Sequence, residues 1–224
     1  MTKEEFLSKV VFNNDEERDD ALFYINMKGL YLHATIFNYL LQENHNKQIT
    51  WKQISDELRI DKGLRDTLYI YLATLEEYIR AYISNKYEND AKQSFWINGK
   101  GNHNAIKNNI AKGRPLFEVL QEVDFGTLIA QVLNLPTVDI KELFDGVGTQ
   151  ENLYAVKELR NCIGHHKFLK TYKLKSCIVN GITSNTFGNN IENLIQLLPK
   201  EYRYGKNGNG GITAELERFH IRIQ

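Results

Sequence analysis

Proline, cysteine and net charge are all scarce in this 224-residue chain, and each scarcity narrows what it can be. Three prolines, with charged residues at 25% and spread throughout, leave no composition for a long disordered region. The two cysteines, Cys162 and Cys177, are too few for a disulfide framework and lack the paired CxxC spacing of a zinc site, so they read as reduced thiols. No apolar run reaches the roughly 18 residues that a membrane span requires. The opening MTKEEFLSKVVFNNDEERDD has no basic segment leading into an apolar one, so nothing marks it for secretion. The expectation is a soluble, cytoplasmic protein. Formal net charge is zero, which by itself counts against a nucleic-acid partner, because such partners favour a basic surface that displaces counterions.

What the chain does have is helical periodicity on a hydrophobic content of 42%, ample for an ordinary core. From Asp61 to Tyr87, Leu64, Leu68, Leu72, Leu75, Ile79 and Ile83 recur every three or four positions and predict one buried stripe on a long central helix. On that helix Glu76 and Arg80 share a face one turn apart, as do Asp61 and Arg65. Such pairs ordinarily form solvated salt bridges worth about 0.3–0.5 kcal/mol. Ahead of it the pattern predicts helices from Asp15 to Asn26 and Leu30 to Glu43, and a short one from Trp51 to Leu58, for which Thr50 and Gln53 have capping-box spacing.

Beyond the central helix, KQSFWINGKGNHN reads as a turn-rich connection around Gly99 and Gly101. Helices are predicted from Asn104 to Lys112, from Pro115 to Val123 with Pro115 at the first helical position, and from Gly126 to Leu133, ended by Pro136. A further helix opens near Thr149, with Leu153, Val156 and Leu159 or Cys162 on its inner side. SCIVNGI suits a short strand or hairpin arm, TFGNNIENLIQLLP a helix closed by Pro199, and GKNGNGG a loop before a last helix from Thr213 to Ile221. The fold class is therefore all-α, with no internal repeat and no linker that divides the chain.

Charge is uneven along this frame. From Glu151 to Gln224 there are eleven Lys and Arg against six Glu, so that part is positive by five and the remainder negative by five. A basic face is one reading, with Lys157, Lys167 and Lys170 as candidate RNA contacts and Lys173 and Lys175 beside them; an ordinary solvated surface is the other. In its middle lies ELRNCIGHHK, Glu158 to Lys167. Adjacent residues on a helix point about 100° apart, so His165 and His166 do not converge on one ion, and no HExxH accompanies them; no metal or other cofactor is expected. The glycines from Gly205 to Gly211 lack the Lys-Ser/Thr ending of a phosphate loop and read as a flexible turn.

An arginine near a histidine does suit RNA. The 2′-hydroxyl is its own nucleophile, so a protein need supply only a group that moves protons near neutral pH and a cation that steadies the phosphorane. Histidine and the forked guanidinium fit those roles. Arg160 and His165 can meet on one side of a helix end, with Gly164 letting the backbone bend. The plainer alternative has Arg160 pairing with Glu158 and the histidines capping the helix.

LRNCIGHH also resembles the LRNxxAHH signature of Abi-like (abortive infection, AbiD/AbiF type) proteins of the HEPN superfamily, all-α RNases with an Arg-x4-6-His motif. Ile60-Asp61-Lys62-Gly63-Leu64-Arg65 followed by Glu76 and Arg80 is similar to the family's Phe-Asp-x-x-Leu-Arg and Glu-x-x-x-Arg block, and PLFEVLQEVDFGTLIAQVLNLP to its middle block. Gly164 stands where relatives usually have alanine, and KFLK where many have an Arg-Leu-Trp-Asn run. The resemblance implies a single domain over residues 1–224: N-terminal helices over 1–59, then a HEPN helical bundle over 60–224. It implies an active site where two copies face each other, each lending Arg160 and His165, with Asn161, His166, Glu76 and Arg80 in support. The implied function is a metal-independent endoribonuclease of phage defence or a toxin-antitoxin pair, acting as a homodimer and partnered by RNA. Two other classes are kept: a non-catalytic RNA-binding protein held by a structured RNA, and a DNA-binding regulator, since TWKQISDELRIDKGLRDTL has the length of a helix-turn-helix.

Overall fold

Polar caps set where the first helices begin. The structure, a computed structural model, describes residues 1–45, 48–90, 104–205 and 210–219. Helix α1 (Lys3–Lys9) opens on Thr2, whose hydroxyl accepts the Glu5 N–H at 3.2 Å while the Glu5 carboxylate accepts the Thr2 N–H at 2.8 Å. Asn14 caps α2 (Asp15–Lys28) by accepting the Glu17 N–H at 2.8 Å, and Gly29 separates it from α3 (Leu30–Glu43). Strand β1 (Val10–Val11) pairs in parallel with β2 (Ile49–Thr50). Thr50 then opens α4 (Trp51–Tyr87): Gln53 Oε1 accepts the Thr50 N–H at 2.9 Å and Thr50 Oγ1 accepts the Gln53 N–H at 3.3 Å.

Helix α4 is one helix of 37 residues where two were expected. Its buried positions Ile54, Leu58, Asp61, Leu64 and Leu68 keep the helical spacing straight through Gly63. A mid-helix glycine costs only about 1 kcal/mol, too little to break a helix held by that much packing. No turn remains between Trp51 and Tyr87, so the helix-turn-helix reading fails.

The rest is a run of shorter helices: α5 (Asn104–Ala111), α6 (Leu116–Gln121), α7 (Phe125–Val132), α8 (Thr137–Leu143), α9 (Gln150–Gly164), α10 (Phe187–Leu197), α11 (Lys200–Tyr204) and α12 (Gly211–Glu217). Pro115 and Pro136 each stand just before a helix as its N-cap, so Pro136 starts α8 as well as closing the segment before it. The SCIVNGI segment forms an antiparallel hairpin, β3 (Cys177–Val179) with β4 (Ile182–Ser184). Its two-residue turn has φ of 50° at Asn180 and 77° at Gly181, the left-handed pair that an Asn-Gly hairpin turn requires. The sequence-predicted KQSFWINGKGNHN connection lies outside the described residues except for Asn104, as do residues 206–209 of the glycine loop and the last residues of the final predicted helix.

Two compact units make up the described chain. The first comprises Met1–Asp66 with Cys162–Tyr172, and the second Thr67–Asn161 with Lys173–Gln224, so the division falls within α4, within α9 and between Tyr172 and Lys173. The core of the first unit gathers Phe6, Val10, Ile25, Ile36, Phe37, Trp51, Ile54 and Phe168. In the second, Leu68, Leu72, Leu75, Ile79 and Ile83 of α4 are all buried, as are Leu153, Val156 and Leu159 of α9. A polar network is buried with them: Asn152 Nδ2 donates to Ile178 O at 2.8 Å and to Asn193 Oδ1 at 2.5 Å, and Asn193 Nδ2 donates to Asn152 O at 2.9 Å. It ties α9 to the hairpin and α10.

His33 gives the first unit a pH dependence. Its ring is fully buried and stacked on Trp51, Nδ1 donates to Gly29 O at 2.9 Å, and Nε2 has no partner among the described residues. Burial pulls its pKa below the ordinary 6.5; the Gly29 carbonyl opposes this and Lys28 adds to it. The folded state thus binds a proton less readily than the unfolded state, so this contribution is whole above about pH 6.5 and is lost as pH falls below it. Urea melts from about pH 7.5 to 5 should show that decline, and His33→Phe should flatten it while leaving stability near neutral pH within about 1 kcal/mol.

Candidate functional site

Helix α9 carries the ELRNCIGHHK segment. It opens on Thr149, whose hydroxyl accepts the Asn152 N–H at 3.2 Å, and it buries Leu153, Val156, Leu159 and Cys162 along one face. Arg160 and Asn161 are half-buried, and His165 and His166, just past the helix, are exposed. The backbone does not bend at Gly164, which stays in the helix; it turns at His166, with φ of 53°. The His166 N–H bonds to Ile163 O at 3.1 Å and the Lys167 N–H reaches back to Cys162 O at 3.0 Å, so the chain closes the helix by a left-handed cap. Glycine usually fills that position, and histidine is among the few other residues that enter it.

A buried ion pair lies against this turn, within the first unit. Arg65 Nε donates to Asp61 Oδ2 at 2.8 Å, and Arg65 Nη1 lies 2.7 Å from His166 Nδ1. Asp61 is 3% exposed and Arg65 9%, and the other Asp61 oxygen accepts the Leu169 N–H at 3.0 Å. The spacing of Asp61 and Arg65 suggested a solvated pair; burial makes it a structural one. Arg65 was not among the expected site residues. Its signal was the Leu64-Arg65 dipeptide in the block resembling Phe-Asp-x-x-Leu-Arg.

The other expected residues are distributed as follows. Arg80 Nη2 donates to the Glu76 carboxylate and, at 2.6 Å, to Val123 O, while its Nη1 is buried with no partner among the described residues. This pair faces a groove of about 800 Å³ between α4 and α6, with Ala73, Ser84, Phe117 and Gln121 also on its walls. Neither Glu76 nor Arg80 bonds to Arg160. Lys157 lies over the first turn of α7, where a Cβ on Gly126 would come 3.0 Å from its Cε. Asp124 caps the same turn, accepting the Thr127 hydroxyl at 2.7 Å and N–H at 3.0 Å, and these bonds hold its carboxyl below the usual range. Lys167, Lys173 and Lys175 are exposed. Lys170 is engaged instead: its ammonium pairs with Glu57 at 2.7 Å and lies 5.4 Å from the Tyr39 ring centroid. Burial pulls the Lys170 pKa down, but the Glu57 carboxylate outweighs it and the net shift is upward.

Among the described residues no group of three or more His, Cys, Asp or Glu is placed to hold a metal ion, and no helix is long and apolar enough to cross a membrane. Comparison with family models finds no match, and no curated protein or solved structure matches the chain.

Proposed function

We propose that the chain is a metal-independent endoribonuclease of the Abi-like HEPN type, acting in phage defence or as a toxin. The observation that carries this reading is the end of α9. Arg160 stands in α9 within the second unit and His165 just past α9 within the first, and neither spends its polar groups on a hydrogen bond or ion pair among the described residues. An arginine and a histidine with their hydrogen-bonding groups uncommitted are what phosphate chemistry needs and what a mere helix cap does not.

His165 would take the proton of the RNA 2′-hydroxyl, whose oxygen attacks the adjacent phosphorus as the bond to the 5′-oxygen breaks. Arg160 would steady the charge on the phosphorane with its fork of donors. The departing 5′-oxygen takes a proton from water, and the products are a 5′-hydroxyl end and a 2′,3′-cyclic phosphate or the 3′-phosphate into which it hydrolyses. Asn161 would help place the phosphate, Lys157 and Lys167 would contact the backbone, and Glu76 with Arg80 would stiffen α4. By the resemblance, a second copy completes the site.

Purified protein incubated with RNA in EDTA should yield fragments ending in cyclic phosphate. Arg160→Ala and His165→Ala should each slow cleavage by about 10²–10⁴-fold. Full cleavage by both variants overturns the assignment, and intact copurifying RNA with no cleavage after its removal favours a binding protein. The lysines separate in the same assay. Lys167→Ala should weaken RNA binding and lower the salt slope by about one. Lys170→Ala, which leaves Glu57 unpaired, should instead cost about 1–2 kcal/mol of stability.

A further inference from the structure

We propose that Arg65, anchored by Asp61, is a positioning residue that fixes His166 as a one-way hydrogen-bond donor to an RNA phosphate; the inference rests on the endoribonuclease reading above. The two adjacent histidines both fall within Arg-x4-6-His spacing from Arg160, and the structure treats them differently. His165 has no side-chain partner among the described residues, whereas His166 is held at its backbone and at its ring.

The contacts around His166 form a closed circuit. Its left-handed backbone is set by the bonds to Ile163 and Cys162. Three residues later the Leu169 N–H donates to Asp61, Asp61 accepts from Arg65, and Arg65 reaches back to His166 Nδ1. A guanidinium has donors only, so the nitrogen facing it must be the acceptor. In the neutral ring the proton therefore sits on Nε2, which has no partner among the described residues on an exposed residue. A left-handed conformation at a non-glycine residue is a mild strain, and here a buried ion pair maintains it.

This assigns different work to the two histidines. A ring protonated at Nε2 and accepting at Nδ1 from Arg65 offers no lone pair outward. It cannot take the proton of the 2′-hydroxyl at Nε2, and giving that proton away would leave an imidazolate. What it can do is donate a hydrogen bond to a non-bridging phosphate oxygen. Proton transfer is left to His165, whose ring is unconstrained.

The test has two arms. The first is ¹⁵N NMR of the histidine side chains at about pH 8.5, above the ordinary histidine range, with the His166 signals assigned through His166→Ala. The full chain should show His166 in the Nε2–H form alone, and Arg65→Lys, which keeps a cation beside Asp61, should give a mixture of tautomers. A mixture already present in the unaltered protein, or no change on Arg65→Lys in a variant that unfolds at the same urea concentration, overturns the positioning role. The second arm is RNA cleavage. Arg65→Lys should slow it by about 10²-fold through misplacement of the donor. His166→Gln, which keeps an N–H donor, should recover much of what His166→Ala loses, and His165→Gln should recover nothing. Equal loss in His166→Gln and His166→Ala, or unchanged cleavage in both, overturns the donor role while leaving the nuclease reading to Arg160. Absence of cleavage by the unaltered protein removes the nuclease reading and the phosphate donor with it, and the NMR arm then decides the positioning role alone.

Discussion

Asp61→Ala is expected to lower the unfolding free energy by about 3–5 kcal/mol. Both partners of this pair are buried, at 3% and 9% exposure, so removing the carboxylate leaves the Arg65 guanidinium without a counter-charge away from water. It also takes the acceptor from the Leu169 N–H, a buried backbone donor. Asp61→Ala should therefore cost far more than the few tenths that an exposed pair at the same spacing is worth, such as Lys62 with Asp66. The signature is non-additivity. Asp61→Leu with Arg65→Met removes both charges and should be less destabilising than the two single changes together. Urea unfolding of the four proteins measures it, and additive losses would mean that the pair is effectively solvated. Amide exchange should place the loss in residues Met1–Asp66 and Cys162–Tyr172, since all four groups of the circuit belong to that unit.

That pair marks where the sequence stopped being legible. Apolar spacing located the buried stripe of α4 and the inner face of α9, because a repeated pattern over several turns overrides local noise. SCIVNGI suggested a short strand or hairpin arm, and in the structure Asn180 and Gly181 supply the two successive positive-φ residues of a hairpin turn. A charged pair carries no such pattern: Asp61–Arg65 and Lys62–Asp66 have the same spacing, and only the packing decides which is buried. Helices α1, α8 and α11, of seven, seven and five residues, are too short for periodicity to show. The turn at His166 was misplaced to Gly164 for a related reason. Glycine permits a left-handed residue, but the cap falls two residues on, at His166, between buried Ile163 and buried Phe168 and Leu169.

Phe6→Ala should cost about 3–5 kcal/mol and should also change how stability responds to acid. Phe6 is fully buried, with its ring edge-on to Phe37 at 5.8 Å and to His33 at 6.5 Å between centroids. Helix α1 has one strong cap and seven residues, too few to persist alone, so its docking rests on Phe6 and Leu7. The truncation leaves a cavity beside His33 or lets α1 detach; either way the imidazole regains water. Its pKa then rises toward the unfolded value, and the proton-linked loss of stability below about pH 6.5 shrinks. Phe6→Leu fills most of the space and should keep the acid response with a smaller loss. Urea melts of the three proteins at about pH 7.5 and 5.5 compare the two effects. A Phe6→Ala variant that is weakened yet as acid-sensitive as the unaltered protein would mean that Trp51 and Gly29 alone keep His33 dry, and that α1 contributes packing but not exclusion of water.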